Sequence, residues 1–480
     1  MPPPDELSRR RFLERSAALS AAGLLGARLG APAAAQDAAA PAASGSPKDK
    51  LGLAFVGLGG RGLYLLRAHG YWSQAELERT GRTEPAQPLL PDVSVRALCD
   101  VYQGALDAGR ACVEPYGERP AAHRDWRRVI DDPSVDAVYV ATADVWHAPI
   151  ALAALEAGKD VYVEKCMTNT IAEAKALREA VRRTGRVLQA GHQNRHSTYF
   201  EYARRLVADG VIGKVSVIQM TLGRNTPEGA YVNAVPADAS PETISWELYQ
   251  PPGLEQPFDP AKLFSWRRYF AFGTGIAGDL LSHDVDAANM ILGLGIPERV
   301  TASGGIYAWK DGRETPDVYS VLHEYPAQGL SLTYNATLAN NYDRKTTLCG
   351  TDGTLVLGLD LKVYGDPKSA RYAQQFQDKT MQKDVPFIEF AGPIRNPELV
   401  TSPTTAWAEG KGLTFTTVGD KVVDTTRLAV EEFRTNVRER RRPLCGVDEG
   451  FDVAVACHLG TQAYLERRTV RWDREKEQAV

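Results

Sequence analysis

From residue 51 to residue 190, short apolar runs alternate with stretches of helical periodicity. Residues 51–56, 93–98, 135–141, 160–163 and 187–190 have the length and apolar density of buried strands. Between them, residues 63–67 begin one helix, and 103–116, 149–158 and 171–184 predict three more. A polar, proline-containing insertion occupies 71–91. Strand and helix in regular alternation predict an α/β domain over 51–190, built on a doubly wound parallel sheet. After Gly191 the pattern changes. A helix at 199–209 leads into a strand at 215–222, then an irregular stretch over 223–272, then a helix at 277–292. Residues 318–325, 330–337, 345–349 and 354–357 read as antiparallel strands, and helices at 426–440 and 447–466 close the chain. The second half, 191–475, is therefore expected to be an α+β domain around a large, mostly antiparallel open sheet that binds substrate and supports oligomerisation.

The first 50 residues stand apart. Ser8-Arg9-Arg10-Arg11-Phe12-Leu13 fits a twin-arginine export pattern, a weakly apolar stretch covers 16–29, and Ala33-Ala34-Ala35 offers a cleavage site. Residues 1–35 are expected to be a twin-arginine signal peptide and 36–50 a linker, which implies a periplasmic or secreted protein with no membrane insertion after cleavage. Net charge is −4 over 480 residues, so no basic excess points to nucleic acid. The six cysteines include no CxxC pair, and neither a disulfide framework nor a zinc ribbon is expected. His192 and His196 have i,i+4 spacing, but no third ligand accompanies them and no metal site is expected. The arginine run at 438–442 reads as a solvated helix end.

Gly57-Leu58-Gly59-Gly60-Arg61-Gly62 follows the first strand and opens the first helix. In that setting Gly57 permits a tight turn, Gly59 lets backbone approach a pyrophosphate, and Gly62 lets helix and strand pack. The helix N-terminus with Gly60 supplies N–H groups for phosphate, and Arg61 is expected to add a direct charge. Asp100 closes the second strand and is expected to accept from the adenosine ribose hydroxyls. It follows Gly62 by 38 residues, the insertion explaining the delay beyond the usual ~20. An acid there favours NAD; NADP stays open because Arg96 and Arg110 are near in sequence.

Three further segments are specific: Ala141-Thr142-Ala143-Asp144-Val145-Trp146-His147, Val163-Glu164-Lys165-Cys166-Met167-Thr168 and Gly278-Asp279-Leu280-Leu281-Ser282-His283-Asp284-Val285-Asp286. With them, and with Gly-Thr-Asp-Gly-Thr-Leu at 350–355 and His458, the chain resembles the Gfo/Idh/MocA family over about 51–473, its secreted twin-arginine members most of all. The resemblance implies a Rossmann domain whose nicotinamide faces the open sheet, and a Lys–Asp–His catalytic set at Lys165, Asp279 and His283. It implies that Thr142, His147, Glu164, Lys165 and Gln193 line the cofactor, with Asn194 beside the substrate; His147 is equally a structural residue starting a helix. Trp266, Arg268 and Tyr269 are expected in the substrate cleft, simple loop packing being the alternative. By analogy the protein is expected to form a homodimer or homotetramer. Two departures stand out. Ala143 replaces a proline, and Cys166 replaces the proline after the lysine, which is expected to remove a cis-proline geometry there.

The residues make chemical sense without the family. Asp279 and His283, four apart on a helix, share a face, while Leu281, Val285, Ala288 and Leu292 form a separate apolar stripe. Histidine is a suitable base for a sugar hydroxyl, and the Lys165 ammonium can stabilise a developing alkoxide. The expected reaction is hydride transfer between a tightly bound NAD(P) and a hydroxyl or carbonyl of a sugar or polyol. Export argues that the cofactor stays bound and is restored in each cycle, by pairing two sugar reactions or by a redox-neutral glycoside cleavage. The latter needs a further acid or base, for which Tyr269 and His192 are the available residues. A non-catalytic sugar-binding or scaffold protein is the remaining alternative.

Overall fold

The computed structural model describes residues 49–85, 88–358, 360–390, 415–418 and 421–480. The expectations for the signal and for nearly all of the linker lie outside the described residues.

Six parallel strands form the first sheet: β1 (Leu51–Val56), β2 (Val93–Cys99), β3 (Ala121–His123), β4 (Ala137–Val140), β5 (Asp160–Val163) and β6 (Leu188–Ala190). Their order is β3-β2-β1-β4-β5-β6, so the chain reverses its direction of travel between β1 and β4. Ligands of such sheets bind at that switch point, beyond the carboxyl ends of the strands. Residues of β1, β4 and β5 are buried on both faces, which is why they read as continuous apolar runs. The connecting helices are α1 (Gly60–Ala68), α2 (Gln103–Val113), α3 (Asp144–Glu156) and α4 (Ile171–Thr184).

Three local features differ from the sequence expectations. The insertion after α1 holds a short helix, Gln74–Arg79, closed by a Ser73–Glu76 capping box. Helix α3 starts at Asp144 and carries Pro149 inside it. Its first turn is anchored from outside, the Val145 N–H donating to the Phe272 carbonyl (3.2 Å). The Lys165–Cys166 peptide is cis although no proline is present, so the expected loss of that geometry at Cys166 does not occur.

Two glycines of the phosphate-binding turn carry the fold. Gly57 has φ +87°, and a Cβ there would stand 2.6 Å from the Ala141 carbonyl. A Cβ on Gly62 would stand 1.8 Å from the Gly57 oxygen, so α1 reaches the end of β1 only because Gly62 has no side chain. Gly62→Ala is expected to cost at least about 1–3 kcal/mol through this overlap. Its purified protein should melt lower and carry less nucleotide, measured by thermal unfolding and by absorbance of the released nucleotide.

The second sheet has ten strands in the order β14-β13-β12-β11-β7-β10-β9-β8-β17-β18. They are β7 (Val215–Arg224), β8 (Arg299–Gly305), β9 (Val318–Tyr325), β10 (Leu330–Thr337), β11 (Asn340–Gly350), β12 (Gly353–Leu357), β13 (Leu361–Gly365), β14 (Ile388–Phe390), β17 (Val470–Asp473) and β18 (Gln478–Ala479). Only the β7–β10 pair is parallel. Burial alternates along β9, β10 and β12, one face closed and the other half-exposed. The closed face packs under α5 (Thr198–Ala208), α6 (Ser282–Leu292) and α8 (Val447–Glu466).

A hairpin of β15 (Phe415–Val418) and β16 (Lys421–Asp424) leads into α7 (Thr425–Glu439). The sequence division at 191 assigns this helix to the second domain, yet it lies on the first sheet. Ala429, Val430, Phe433 and Val437 join the core of Leu53, Tyr139 and Tyr162. The Phe433 ring meets Tyr139 edge-on at 5.3 Å and Tyr162 at 5.7 Å. Arg434 and Arg438 both pair with Asp92, just before β2.

Candidate active site

A cleft of about 940 Å³ opens at the carboxyl ends of β1, β4 and β5 and extends to the ends of β7 and β11. Its first part is bounded by Gly57, Gly59, Gly60 and Asp100. A Cβ on Gly59 or Gly60 would meet nothing within 4 Å, so the start of α1 presents bare backbone to the cleft. Asp100 is held rigidly: one carboxylate oxygen accepts from the Leu58 N–H (2.7 Å) and the other from the Tyr102 N–H (2.9 Å). Burial pushes its pKa up, and those two N–H groups and Arg124 pull it back. Each oxygen keeps a second lone pair for a sugar hydroxyl. An exposed backbone cradle followed by a fixed carboxylate suits the pyrophosphate and ribose of NAD. Arg96 is exposed and Arg110 pairs with Glu114 (2.8 Å), so neither reaches the cleft; the cation near Asp100 is Arg124. Asp100→Ala is expected to weaken NAD binding about 10- to 100-fold. It should also narrow the gap between NAD and NADP, both read by titrating nucleotide into stripped protein.

Arg61 does not add a free charge for phosphate. Its guanidinium donates to Glu164 (2.7 Å), and more loosely to Thr426 (3.3 Å) and Gln193 (3.4 Å). Buried Glu164 demands a counter-charge, and Arg61 supplies it. The result ties the first turn of α1 to the end of β5 and the start of α7. Thr142 and His147 line the cleft, but the His147 ring lies between two backbone carbonyls, Cys166 at 2.7 Å and Thr142 at 3.1 Å. The imidazole therefore fixes the ends of β4 and β5 and turns its polar edges away from a ligand.

Beyond this, Lys165, Asp279 and His283 meet in the cleft. The Lys165 ammonium donates to the Asp279 carboxylate (2.6 Å) and to its backbone carbonyl (2.8 Å). Asp279 lies on a π-helical turn, Ala277–Leu281, that runs directly into α6, where a plain helix is expected. Burial opposes ionisation of Asp279, but Arg267, Lys165 and Arg224 hold its carboxyl well below the usual range. Burial drives the His283 pKa well below 6.5, helped by Lys165, His192 and Arg344 and opposed by Asp279. His283 is thus a neutral base in a cation-rich pocket.

Gln193, Asn194 and Trp266 also line the cleft. Arg268 and Tyr269 do not: Arg268 is buried and donates to the Tyr269 hydroxyl (2.7 Å) and towards Asp311 (3.4 Å). The residue that does enter is Arg267, which donates to Asp279 (2.9 Å) and stacks over the Trp266 ring at 4.1 Å. Trp266–Arg268 is a 3₁₀ turn, with three residues per turn, so adjacent side chains point in widely different directions. Sequence reasoning also missed Arg224, Tyr231 and Arg344, all at the cleft. His192 lies behind His283, ring centroids 6.0 Å apart, and does not line the cleft. His196 pairs with Glu432 (2.9 Å), whereas the nearest acid to His192 is Asp286 (3.8 Å), so the two histidines diverge. Among the described residues, no cluster of three metal-ligating side chains occurs.

Comparison with known proteins places both halves. Residues 53–192 match the profile described as "Oxidoreductase family, NAD-binding Rossmann fold" of GFO_IDH_MocA, and residues 200–356 match the GFO/IDH/MocA C-terminal domain. The chain is 30% identical over 192 residues to levoglucosan dehydrogenase of Pseudarthrobacter phenanthrenivorans, covering 38% of this chain and 42% of that protein. It is 23% identical over 343 residues to scyllo-inositol 2-dehydrogenase (NADP(+)) IolW of Bacillus subtilis, covering 71% of this chain and 80% of that one. A solved structure of levoglucosan dehydrogenase in complex with NADH shares the fold, with TM-score 0.60 at 19% identity over 88% of this chain and 99% of that one.

Proposed function

The chain belongs to the Gfo/Idh/MocA family of oxidoreductases, and from that premise we propose that it oxidises a hydroxyl group of a sugar or polyol with NAD held in the cleft. The observation that carries this reading is the convergence of Lys165, Asp279 and His283 just beyond the dinucleotide cradle. Gly59, Gly60 and Asp100 would hold the cofactor, which supplies the hydride acceptor when bound. His283, neutral and half-buried, takes the proton of the substrate hydroxyl. Lys165 donates to the same oxygen as charge builds on it, and Asp279 aims the ammonium from behind. The paired sequence of relatives, sugar and inositol dehydrogenases, supports the substrate class.

Redox-neutral glycoside cleavage has less support. Neither Tyr269 nor His192 stands in the cleft to serve as its extra acid or base. A scaffold role is disfavoured by the intact ion pair and base. The ties from Arg61 to Glu164, Gln193 and Thr426 support slow release of the cofactor. The twin-arginine pattern at 8–13 supports export to the periplasm or beyond. The half-exposed outer face of the ten-stranded sheet supports assembly into a homodimer or homotetramer.

The test is to denature the purified protein and identify the released nucleotide by mass spectrometry, then to screen sugars and polyols on intact protein by nicotinamide fluorescence. Near-stoichiometric NAD that becomes reduced by a sugar supports the reading. Absence of nucleotide, with none bound on addition, overturns it.

A further inference from the structure

Two groups stand behind the base without lining the cleft: His192, just after β6, and Asp286 on α6. His192 is 3% exposed and Asp286 1%. Asp286 follows His283 by three residues, so both project from one side of α6. The His192 ring meets the His283 ring edge-on at 6.0 Å between centroids, and its Nδ1 lies 3.8 Å from Asp286 Oδ2. The three side chains leave three buried polar atoms without a hydrogen-bond partner: His283 Nδ1, His192 Nδ1 and Asp286 Oδ2. The other Asp286 oxygen accepts from Arg195 (2.8 Å), whose guanidinium also donates to the Leu444 carbonyl (3.0 Å). With Nδ1 of His283 enclosed, Nε2 is the nitrogen left for substrate. Unanswered polar atoms are costly to bury, and three in one place call for a reason.

The base takes its proton in a setting that resists it. Burial, Lys165 and Arg344 disfavour a charge on His283, and Asp279 only partly offsets them. Burial also holds His192 below 6.5, with Arg195 and Lys165 adding to it, but Asp286, the foremost of its charged neighbours, and Glu164 draw a proton towards it. Cys445, beside Asp286, has its thiol pushed up by burial and by that carboxylate and stays neutral. A proton is therefore better placed on His192 than on His283. We propose that His192, backed by Asp286, receives the proton that the base removes. His283 takes the hydroxyl proton on Nε2 and releases its Nδ1 proton to His192, whose own Nδ1–H then donates to Asp286 Oδ2. The hydride leaves the same carbon for the nicotinamide. His283 ends neutral with its tautomer reversed, and the positive charge rests beside Asp286 instead of beside Lys165. His192 and Asp286 touch no substrate and act through His283; the relay rests on the dehydrogenase reading above.

Single-turnover nicotinamide fluorescence on the intact, nucleotide-loaded protein, with the best sugar from the screen, tests this. In mixtures of H2O and D2O the wild-type rate should fall along a curve, because two protons move in one step. His192→Phe keeps a ring in place and removes both nitrogens, while Asp286→Asn keeps the shape and removes the charge. In each, the rate at saturating sugar should drop about tenfold or more, with the half-saturating sugar concentration and the nucleotide content unchanged. In His192→Phe the isotope dependence should become a straight line, a change that loosened packing does not produce. A straight line in the wild type, a curve that survives His192→Phe, or wild-type rates in both variants overturns the relay and leaves the dehydrogenase standing. No reduction by any sugar removes the dehydrogenase reading, and the relay with it.

Discussion

Lys165→Met lowers the rate of cofactor reduction by about 10²- to 10³-fold, the usual cost of removing a single donor to a developing oxyanion. The ammonium spends two of its N–H bonds on Asp279, one on the carboxylate and one on the main-chain carbonyl, which leaves the third for substrate. Methionine keeps the length of the side chain and removes the charge. Asp279 remains answered by Arg267 at 2.9 Å, so the substitution does not strand a buried carboxylate. The fold and the nucleotide content should therefore persist while the rate falls. Single-turnover fluorescence with the best sugar from the screen, alongside nucleotide content, separates these effects. An unchanged rate would show that another group stabilises the oxygen.

His283→Gln is expected to cost about 10²- to 10⁴-fold, the range for loss of a general base. The pH dependence gives the sharper check. Burial first, then Lys165, His192 and Arg344, hold the folded pKa well below 6.5, and Asp279 opposes them. The neutral imidazole is the active form, so activity is full above the folded pKa and is lost as pH falls through it. The rate should stay flat between pH 7 and 6, where an ordinary histidine of pKa about 6.5 passes through its midpoint. Arg344→Gln removes one of the depressing charges, so its acid limb should move up towards 6.5. A wild-type inflection near 6.5 would contradict the assignment.

Much of this site was legible because its signals are local. Glycines at 57, 59 and 62 between a strand and a helix specify a phosphate turn wherever they occur, and Asp100 could be found by following the next strand to its end. Lys165, Asp279 and His283 lie in short segments whose types and spacing suit one chemistry. What was missed depends on packing between distant segments. Arg267 and Arg268 are equivalent in sequence, and only the 3₁₀ turn decides which enters the cleft. Arg224 and Arg344 become neighbours through β7–β11 pairing, which no local periodicity encodes. Arg61 looks like a phosphate ligand until Glu164, brought from the end of β5, claims it. β3 was invisible because its three residues are largely exposed at a sheet edge and carry no apolar run. The helix after β4 was started late, at Pro149, because its true first turn is anchored by the distant Phe272 carbonyl.

Helix α7 bears on how the protein can be taken apart. Its residues come from the far end of the chain, yet Phe433 closes the aromatic layer of Tyr139 and Tyr162 on the parallel sheet. A fragment cut at residue 190 would present that layer to water and leave Asp92 without its two arginines. The nucleotide-binding half is therefore not a detachable module. Grafting it onto another substrate domain requires carrying α7 along, either as a separate chain or rejoined by a new connection after β6.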